Sequence, residues 1–385
     1  MPPLLASLRQ LPYTQRLGLA SLLCLSVAWA TRTAHRRLAP GLQRLAVALP
    51  CVAALLQVHT LFDAQGTSEL LTVLVTLACV AWWASTRVVL VALGRSTVSR
   101  RKHLLAYAAE LLMPLSTSSA LAGRSVQQLL ARVVGKLLLL AATCAALQSP
   151  LPAFQVPMAR HALYVLGMYS FLGALGDGPG VLVTALCGVS LSPHFNNPFA
   201  SASCADFWGR RWNVTAAHLL RRSVYEPIMQ GQLLGHDAYD VSGAADSGNK
   251  RRASVRRVTW KPSLWRQALA VCATFLASGI AHELILHQVI VAPWTHEWLL
   301  FFTLQGPLLC VEALLKPHLP RSRLLLTPVC LLLLLRLGGA LFFPVAMRTG
   351  LDTRVVAALT QRAQEVAGGM RGVVAAVQTR ARATA

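Results

Sequence analysis

The feature that most limits this chain is a series of long apolar runs joined by short polar links. The runs fall at residues 17–31, 43–62, 68–93, 127–148, 161–175, 179–192, 265–291, 297–315 and 323–346. A helix needs about 20 apolar residues to cross the hydrocarbon core of a bilayer, and most of these runs are that long. Lipid offers the backbone no hydrogen-bond partners, so only helices and closed barrels can span it. The runs are too long and too continuous for barrel strands, which alternate apolar and polar residues. The chain is therefore expected to be all-α, a polytopic transmembrane helical bundle of eight or nine spans. The count turns on the fifth and sixth runs. Both are short and flank Gly176-Asp177-Gly178-Pro179-Gly180, so they read as two short helices or as one broken, re-entrant element.

Charge sorts the partners. Charged residues make up 13% of the chain, where a soluble domain carries about a quarter. The net charge is +22, from 36 Lys and Arg against 14 Asp and Glu. The positive residues sit in links between apolar runs, as at 95–102 and 250–257. Links of that kind set topology and touch anionic headgroups, so membrane lipids are the expected partners and nucleic acid is not. The same field attracts a phosphorylated substrate. The nine cysteines form no C-x-x-C pair and mostly lie inside apolar runs, so they read as small buried hydrophobes. They support neither a disulfide framework nor a metal site.

The chain divides into three parts. Residues 1–34 form an N-terminal segment in which Arg9 and Arg16 precede an apolar core ending in Ala28-Trp29-Ala30. It is either a first anchor or a cleavable signal or transit peptide. Residues 35–350 form the membrane domain, interrupted by a polar, basic loop at 231–262. In the tail, 351–385, Val355, Leu359, Val366, Met370, Val373 and Val377 recur at helical spacing beside Arg354, Arg362 and Arg371. That pattern fits a helix lying on the membrane surface, weakened by Gly368-Gly369.

Two segments carry unusual chemistry. The first is Asp206-Phe207-Trp208-Gly209-Arg210-Arg211-Trp212-Asn213. Its aromatic residues suit the headgroup boundary, its arginines can grip phosphate, and Asn213 offers an amide donor and acceptor. In an α-helix, Asp206, Arg210 and Asn213 would share one face. The plain alternative is an interfacial helix with snorkelling arginines. The glycosylation sequon Asn213-Val214-Thr215 lies against apolar and aromatic sequence and is expected to stay unmodified. The second segment is Ser278-Gly279-Ile280-Ala281-His282-Glu283-Leu284, near the middle of the run 265–291. Ionisable groups at that depth are costly and are kept for chemistry or transport. Ser278 lies one turn before His282, and small Gly279 and Ala281 leave room for a substrate. A neutral imidazole is a natural general base near neutral pH. His282-Glu283 begins like a zinc-protease motif, but the next histidine is His287. Five residues turn a helix by about 140°, so the two rings diverge. Asp177, Glu312 and Arg87, the last near enough to a span end to snorkel, read as structural. A transporter would string His282, Glu283 and Glu312 along a pathway. It would also show inverted repeats and paired breaks, and the only candidate break is 176–180.

Three stretches resemble a known family. Pro193-His194-Phe195, Asn197-Pro198-Phe199, Ser203, the segment from Asp206 to Asn213, Leu220-Arg221 and Val224-Tyr225 resemble the wax-synthase-type signature of the membrane-bound O-acyltransferases. Ala273-Thr274-Phe275 through Leu284 resembles the family's second signature, and Phe301-Phe302 with Gly306 and Glu312 a weaker third. Trp82-Trp83 with Arg87 echoes a tryptophan-rich third helix that usually carries lysine. The resemblance covers roughly residues 35–350. It implies a bundle with an internal reaction chamber and a plant or algal long-chain-alcohol O-fatty-acyltransferase of the endoplasmic reticulum membrane. Acyl-CoA would be the co-substrate, a long-chain alcohol the acceptor, and no cofactor would be needed. A sterol, terpenoid or diacylglycerol hydroxyl is the alternative acceptor. Carried over, His282 is the catalytic base and Asn213 the second polar residue of the active centre. Trp208, Arg210, Arg211, Trp212, Ser278 and Glu283 are the expected substrate contacts. Two positions depart from the family: Gln305 stands where histidine is expected, and Asn196 where an acidic residue is common.

Overall fold

A computed structural model of the chain describes residues 3–114, 125–187, 193–235, 237, 263–290, 293–320 and 322–383. Among them no strand occurs, and seven helices are long and apolar enough to cross a membrane. These are α1 (Tyr13–Arg37), α2 (Leu42–Leu61), α3 (Thr67–Ala92), α4 (Val126–Gln148), α7 (Leu264–Val289), α8 (Glu297–His318) and α9 (Arg323–Arg348). Each covers one of the apolar runs. The architecture is a polytopic α-helical bundle. Its outward faces carry large apolar side chains such as Leu22, Leu42, Leu264, Leu314 and Leu324, as lipid contact requires.

The fifth and sixth runs behave differently from expectation. They form one uninterrupted helix, α5 (Pro157–Cys187), with Pro179 inside it. Among the described residues, which reach 187 in the sixth run, neither two short helices nor a broken element occurs. The physical reason lies on α4, which packs along α5. Lys136 Nζ reaches Asp177 at 2.5 Å and Arg132 Nε reaches it at 3.7 Å. Tertiary packing and charge neutralisation override the breaking tendency of the Gly-Pro sequence.

Helices α1, α2 and α3 form the main apolar core, with Leu55, Leu70 and Val73 fully buried and Leu286 and Val289 of α7 joining them. Arg87 does not snorkel. It is buried, with its guanidinium 4.6 Å from the centre of the Trp83 ring. The described beginning of the polar loop is fastened to this core. Arg44 Nη2 lies 2.8 Å and His35 Nε2 3.4 Å from the Asp237 carboxylate. Burial alone would raise the Asp237 carboxyl, but the hydrogen bonds and charges of His35 and Arg44 outweigh it and hold it down at about 2. The basic run at 250–257 lies outside the described residues.

Helices α7 and α8 pack closely, and Gly279 explains how. A Cβ there would come within 2.8 Å of the Leu299 carbonyl oxygen. Gly279 is small because the backbone of α8 passes beside it, not to make room for substrate. The tail is a single helix, α10 (Leu351–Ala383), which continues through Gly368-Gly369. It is tied down near its start: Arg354 donates to the Ala64 carbonyl and Arg362 Nη2 to the Ser68 carbonyl at 2.6 Å.

Candidate active site

A cavity of about 760 Å³ opens between α3, α5, α7, α8, α9 and a short helix, α6 (Val214–Leu220). Its wall is mostly apolar and aromatic. The chain makes four π-helical stretches among the described residues: Thr76–Ala84, Phe207–Arg211, Arg221–Tyr225 and Gly338–Phe342. All four contribute to the wall, through Trp82, Trp208, Arg221 and Phe342 among others. A π turn inserts a residue into an α-helical register. Such turns are rare and concentrate at functional sites.

His282 reaches the cavity from the middle of α7. Its Nδ1 lies 2.8 Å from the Ser278 carbonyl oxygen, while the Ser278 hydroxyl is 3.5 Å away. The ring is stacked on Phe302, with centroids 3.9 Å apart, and is flanked by Trp82 and Trp298. The carbonyl can only accept, so the hydrogen bond assigns the proton to Nδ1 and the lone pair to Nε2. Among the described residues Nε2 makes no hydrogen bond. The ring of His287 is turned elsewhere, stacked on Trp294 at 4.1 Å.

Asn213 lines the same cavity. Helix geometry ends just before it, and its own backbone is left-handed, with φ 39° and ψ 60°. Asparagine is among the residues that tolerate this region. Its Oδ1 accepts from the Ala216 amide at 3.1 Å, capping α6. That bond leaves the Nδ2 donor for a ligand. The sequon position is half-buried on the cavity wall, and its Thr215 is buried.

The structure brings Trp208, Trp212 and Ser278 to this cavity and leaves Arg210, Arg211 and Glu283 out of its wall. Trp212 stacks on Phe207. Trp208 is fixed by Gln305, whose Oε1 accepts its indole N–H at 3.1 Å and whose amide donates to the Phe301 carbonyl at 3.1 Å. Gln305 is fully buried, so the departure at this position orients a wall residue.

Three expected contacts lie outside the cavity wall. The π turn over Phe207–Arg211 shifts the spacing, so Asp206 pairs with Arg211 at 2.6 Å rather than sharing a face with Arg210. Arg211 also donates to the Asn197 carbonyl at 3.2 Å, so its guanidinium is engaged within the fold. Arg210 is exposed. Glu283 is buried and faces away from the cavity. Its carboxylate accepts from the amides of His296 at 2.7 Å and Leu299 at 3.2 Å, and from the Thr295 hydroxyl at 3.2 Å. An acid at that place serves the start of α8. Glu312 does similar work, accepting from the Cys204 and Ala205 amides at 2.8 Å each.

His218, Arg221 and Tyr225 are further polar residues of the cavity wall. In the sequence Arg221 and Tyr225 stand out only as signature residues, and His218 does not stand out. Their spacing of three and four along one helical face was the available signal.

Comparison with known proteins finds a family model that matches the part of the chain holding this site. Residues 191–304 match the model of the membrane bound O-acyl transferase family, a stretch that includes both Asn213 and His282. The chain is 32% identical over 199 residues to "Probable long-chain-alcohol O-fatty-acyltransferase 7" of Arabidopsis thaliana, covering 50% of each chain. It is 28% identical over 210 residues to "Long-chain-alcohol O-fatty-acyltransferase" of Simmondsia chinensis, covering 54% of this chain and 51% of the relative. It is 32% identical over 156 residues to "Acyl-CoA--sterol O-acyltransferase 1" of Arabidopsis thaliana, covering 40% of this chain and 37% of the relative. The matches to the long-chain-alcohol relatives thus span about half their length. The resemblance read from the signature residues is borne out.

Proposed function

We propose that this membrane bound O-acyl transferase-like chain moves a fatty acyl group from acyl-CoA to the hydroxyl of a long-chain alcohol, forming a wax ester. The observation that carries the reading is His282: a half-buried imidazole with its Nδ1–H held by a backbone carbonyl, on the wall of the cavity that Asn213 also lines. Nε2 takes the proton of the acceptor hydroxyl as its oxygen attacks the thioester carbonyl. The tetrahedral oxyanion accepts a hydrogen bond from Asn213 Nδ2. Collapse breaks the C–S bond, and the departing thiolate recovers the proton from His282, so ester and free CoA leave. General-base catalysis supplies about 10²- to 10⁴-fold. A positioned oxyanion donor contributes about 3 kcal/mol. The apolar wall keeps water from the thioester.

CoA is anionic and meets the polar wall residues Arg221, His218 and Tyr225, with exposed Arg210 nearby in sequence. The acceptor and the ester are apolar and exchange with the bilayer, and the chain works as a multi-pass protein of the endoplasmic reticulum. The activated acyl group arrives on CoA, so no cofactor or metal enters the reaction, and no nucleic acid takes part. A sterol acceptor is the second reading, favoured by the sterol acyltransferase among the relatives.

The test is a microsomal assay with labelled acyl-CoA and a panel of long-chain alcohols, sterols, terpenoids and diacylglycerol. Wild type should form wax ester and His282→Ala should not. Sterol ester alone would move the acceptor. No ester with any acceptor would overturn the proposal.

A further inference from the structure

Asn213 holds a left-handed backbone conformation that asparagine tolerates and that neighbouring contacts keep in place. The restraint comes from a separate segment. The Asn196 amide donates to the Arg211 carbonyl, and the Val214 amide donates to the His194 carbonyl, each at 2.9 Å. These two bonds bracket Trp212 and Asn213. A third contact joins the side chains, His194 Nδ1 to Thr215 Oγ1 at 2.6 Å.

His194 is itself held from behind. Its amide donates to Asp177 Oδ1 at 3.2 Å, and Lys136 Nζ holds the other carboxylate oxygen at 2.5 Å. A Cβ on Gly176 would come within 2.8 Å of the His194 ring, so only glycine lets the ring lie on α5. Lys136, Asp177, His194 and Thr215 are 5%, 5%, 6% and 2% exposed. None of them lines the cavity. Burying an ion pair is costly, and an apolar cluster of the same shape would hold two helices together equally well. This one instead ends on the turn that presents the Asn213 amide.

We infer that Asp177, His194 and Thr215 form a clasp, anchored by Lys136, that positions Asn213 for transition-state stabilisation. The inference rests on the acyl-transfer reading. The three are positioning residues, acting on the reaction only through the aim of Nδ2. Small misplacements of such a donor are expensive, because its bond to the oxyanion depends steeply on distance and angle.

The full-length chain in microsomes tests this with Thr215→Val, which removes the hydroxyl and keeps the branched shape, and Thr215→Ser, which keeps the hydroxyl. Thr215→Val should lower kcat by about ten- to a hundred-fold with both KM values within about two-fold of wild type. Thr215→Ser should stay within about three-fold of wild type in kcat. In an Asn213→Ala background, Thr215→Val should cost nothing more, since its effect runs through the missing amide. Undiminished kcat in Thr215→Val, or its full cost reappearing without Asn213, would overturn the clasp. Hydrogen exchange gives a reading that needs no turnover. The Val214 and Ala216 amides should exchange about ten-fold faster in Thr215→Val while the α7 amides stay unchanged. Unchanged exchange at 214 and 216 would also overturn it. If α7 loosens too, Thr215→Ala carries the same expectations. If wild type forms no ester at all, the acyl-transfer reading falls, and exchange alone then decides whether the clasp fixes this turn.

Discussion

The Nδ1 of His282 lies 2.8 Å from the carbonyl oxygen of Ser278, one turn earlier in α7, and that single bond sets which nitrogen can act as a base. The Ser278 hydroxyl, at 3.5 Å, is too far to share the task. Orientation therefore comes from the backbone. Ser278→Ala should leave kcat within about three-fold of wild type, whereas His282→Ala should lower it by about 10²- to 10⁴-fold with membrane insertion intact. Steady-state assays on the two variants, normalised to inserted protein, check the pair. A large loss in Ser278→Ala would mean that the hydroxyl matters to the proton transfer.

Asn213 combines a chemical role with a backbone one, and a single substitution separates them. Glycine adopts the left-handed region without strain, so Asn213→Gly keeps the turn and removes only the amide. Loss of its Oδ1 cap lowers stability by a few tenths of a kcal/mol, since glycine is itself a tolerated N-cap. The melting midpoint in detergent should barely move. The kcat should nevertheless fall by about 10²-fold, the usual effect of deleting an oxyanion donor. A variant with wild-type kcat would leave Asn213 as a helix cap and nothing more.

The seven apolar helices were legible because lipid imposes their length and composition residue by residue. Helix α5 was not. Gly-Pro signals act locally, while Lys136 and Arg132, which hold the helix together at Asp177, lie some forty residues away in sequence. The π turns were hidden for the same reason. Nothing in Asp206 to Asn213 announces a five-residue spacing until Asp206 and Arg211 are seen paired. Glu283 is a different case. Its carboxylate is taken up by the His296 and Leu299 amides, partners that lie beyond its own apolar run and that no local pattern announces. The shared cavity of Asn213 and His282 was legible only through family resemblance, because no local pattern links two residues so far apart in sequence.

The arginines near the site should separate by role. Arg221 lines the cavity and is largely exposed, paired with Glu226 at 3.3 Å. An exposed charge contact is worth roughly 0.2–1 kcal/mol, so Arg221→Gln should raise the acyl-CoA KM about two- to five-fold. That increase should shrink at high salt. Arg211→Gln breaks the Asp206 pair and the bond to the Asn197 carbonyl, so it should lower stability and kcat together, with little specific effect on acyl-CoA KM. KM measurements at two ionic strengths distinguish the cases. A salt-sensitive KM increase in Arg211→Gln instead would return that residue to the phosphate site.

Glu283 sits next to the proposed base in sequence, yet its carboxylate binds two amides and a hydroxyl at the start of α8. The expected consequence of removing it is therefore a loss of stability rather than of binding. Glu283→Ala leaves those buried donors without an acceptor, a penalty of about 1–3 kcal/mol each where water cannot replace it. The midpoint of thermal unfolding in detergent should fall by at least several degrees. Because α8 carries Phe302, which stacks on His282, kcat should also decline in the protein that remains folded. The KM values for acyl-CoA and acceptor should hold near wild type. Thermal midpoints and kinetics measured on one preparation decide it: an unmoved midpoint with a raised acceptor KM would put Glu283 back beside the substrate.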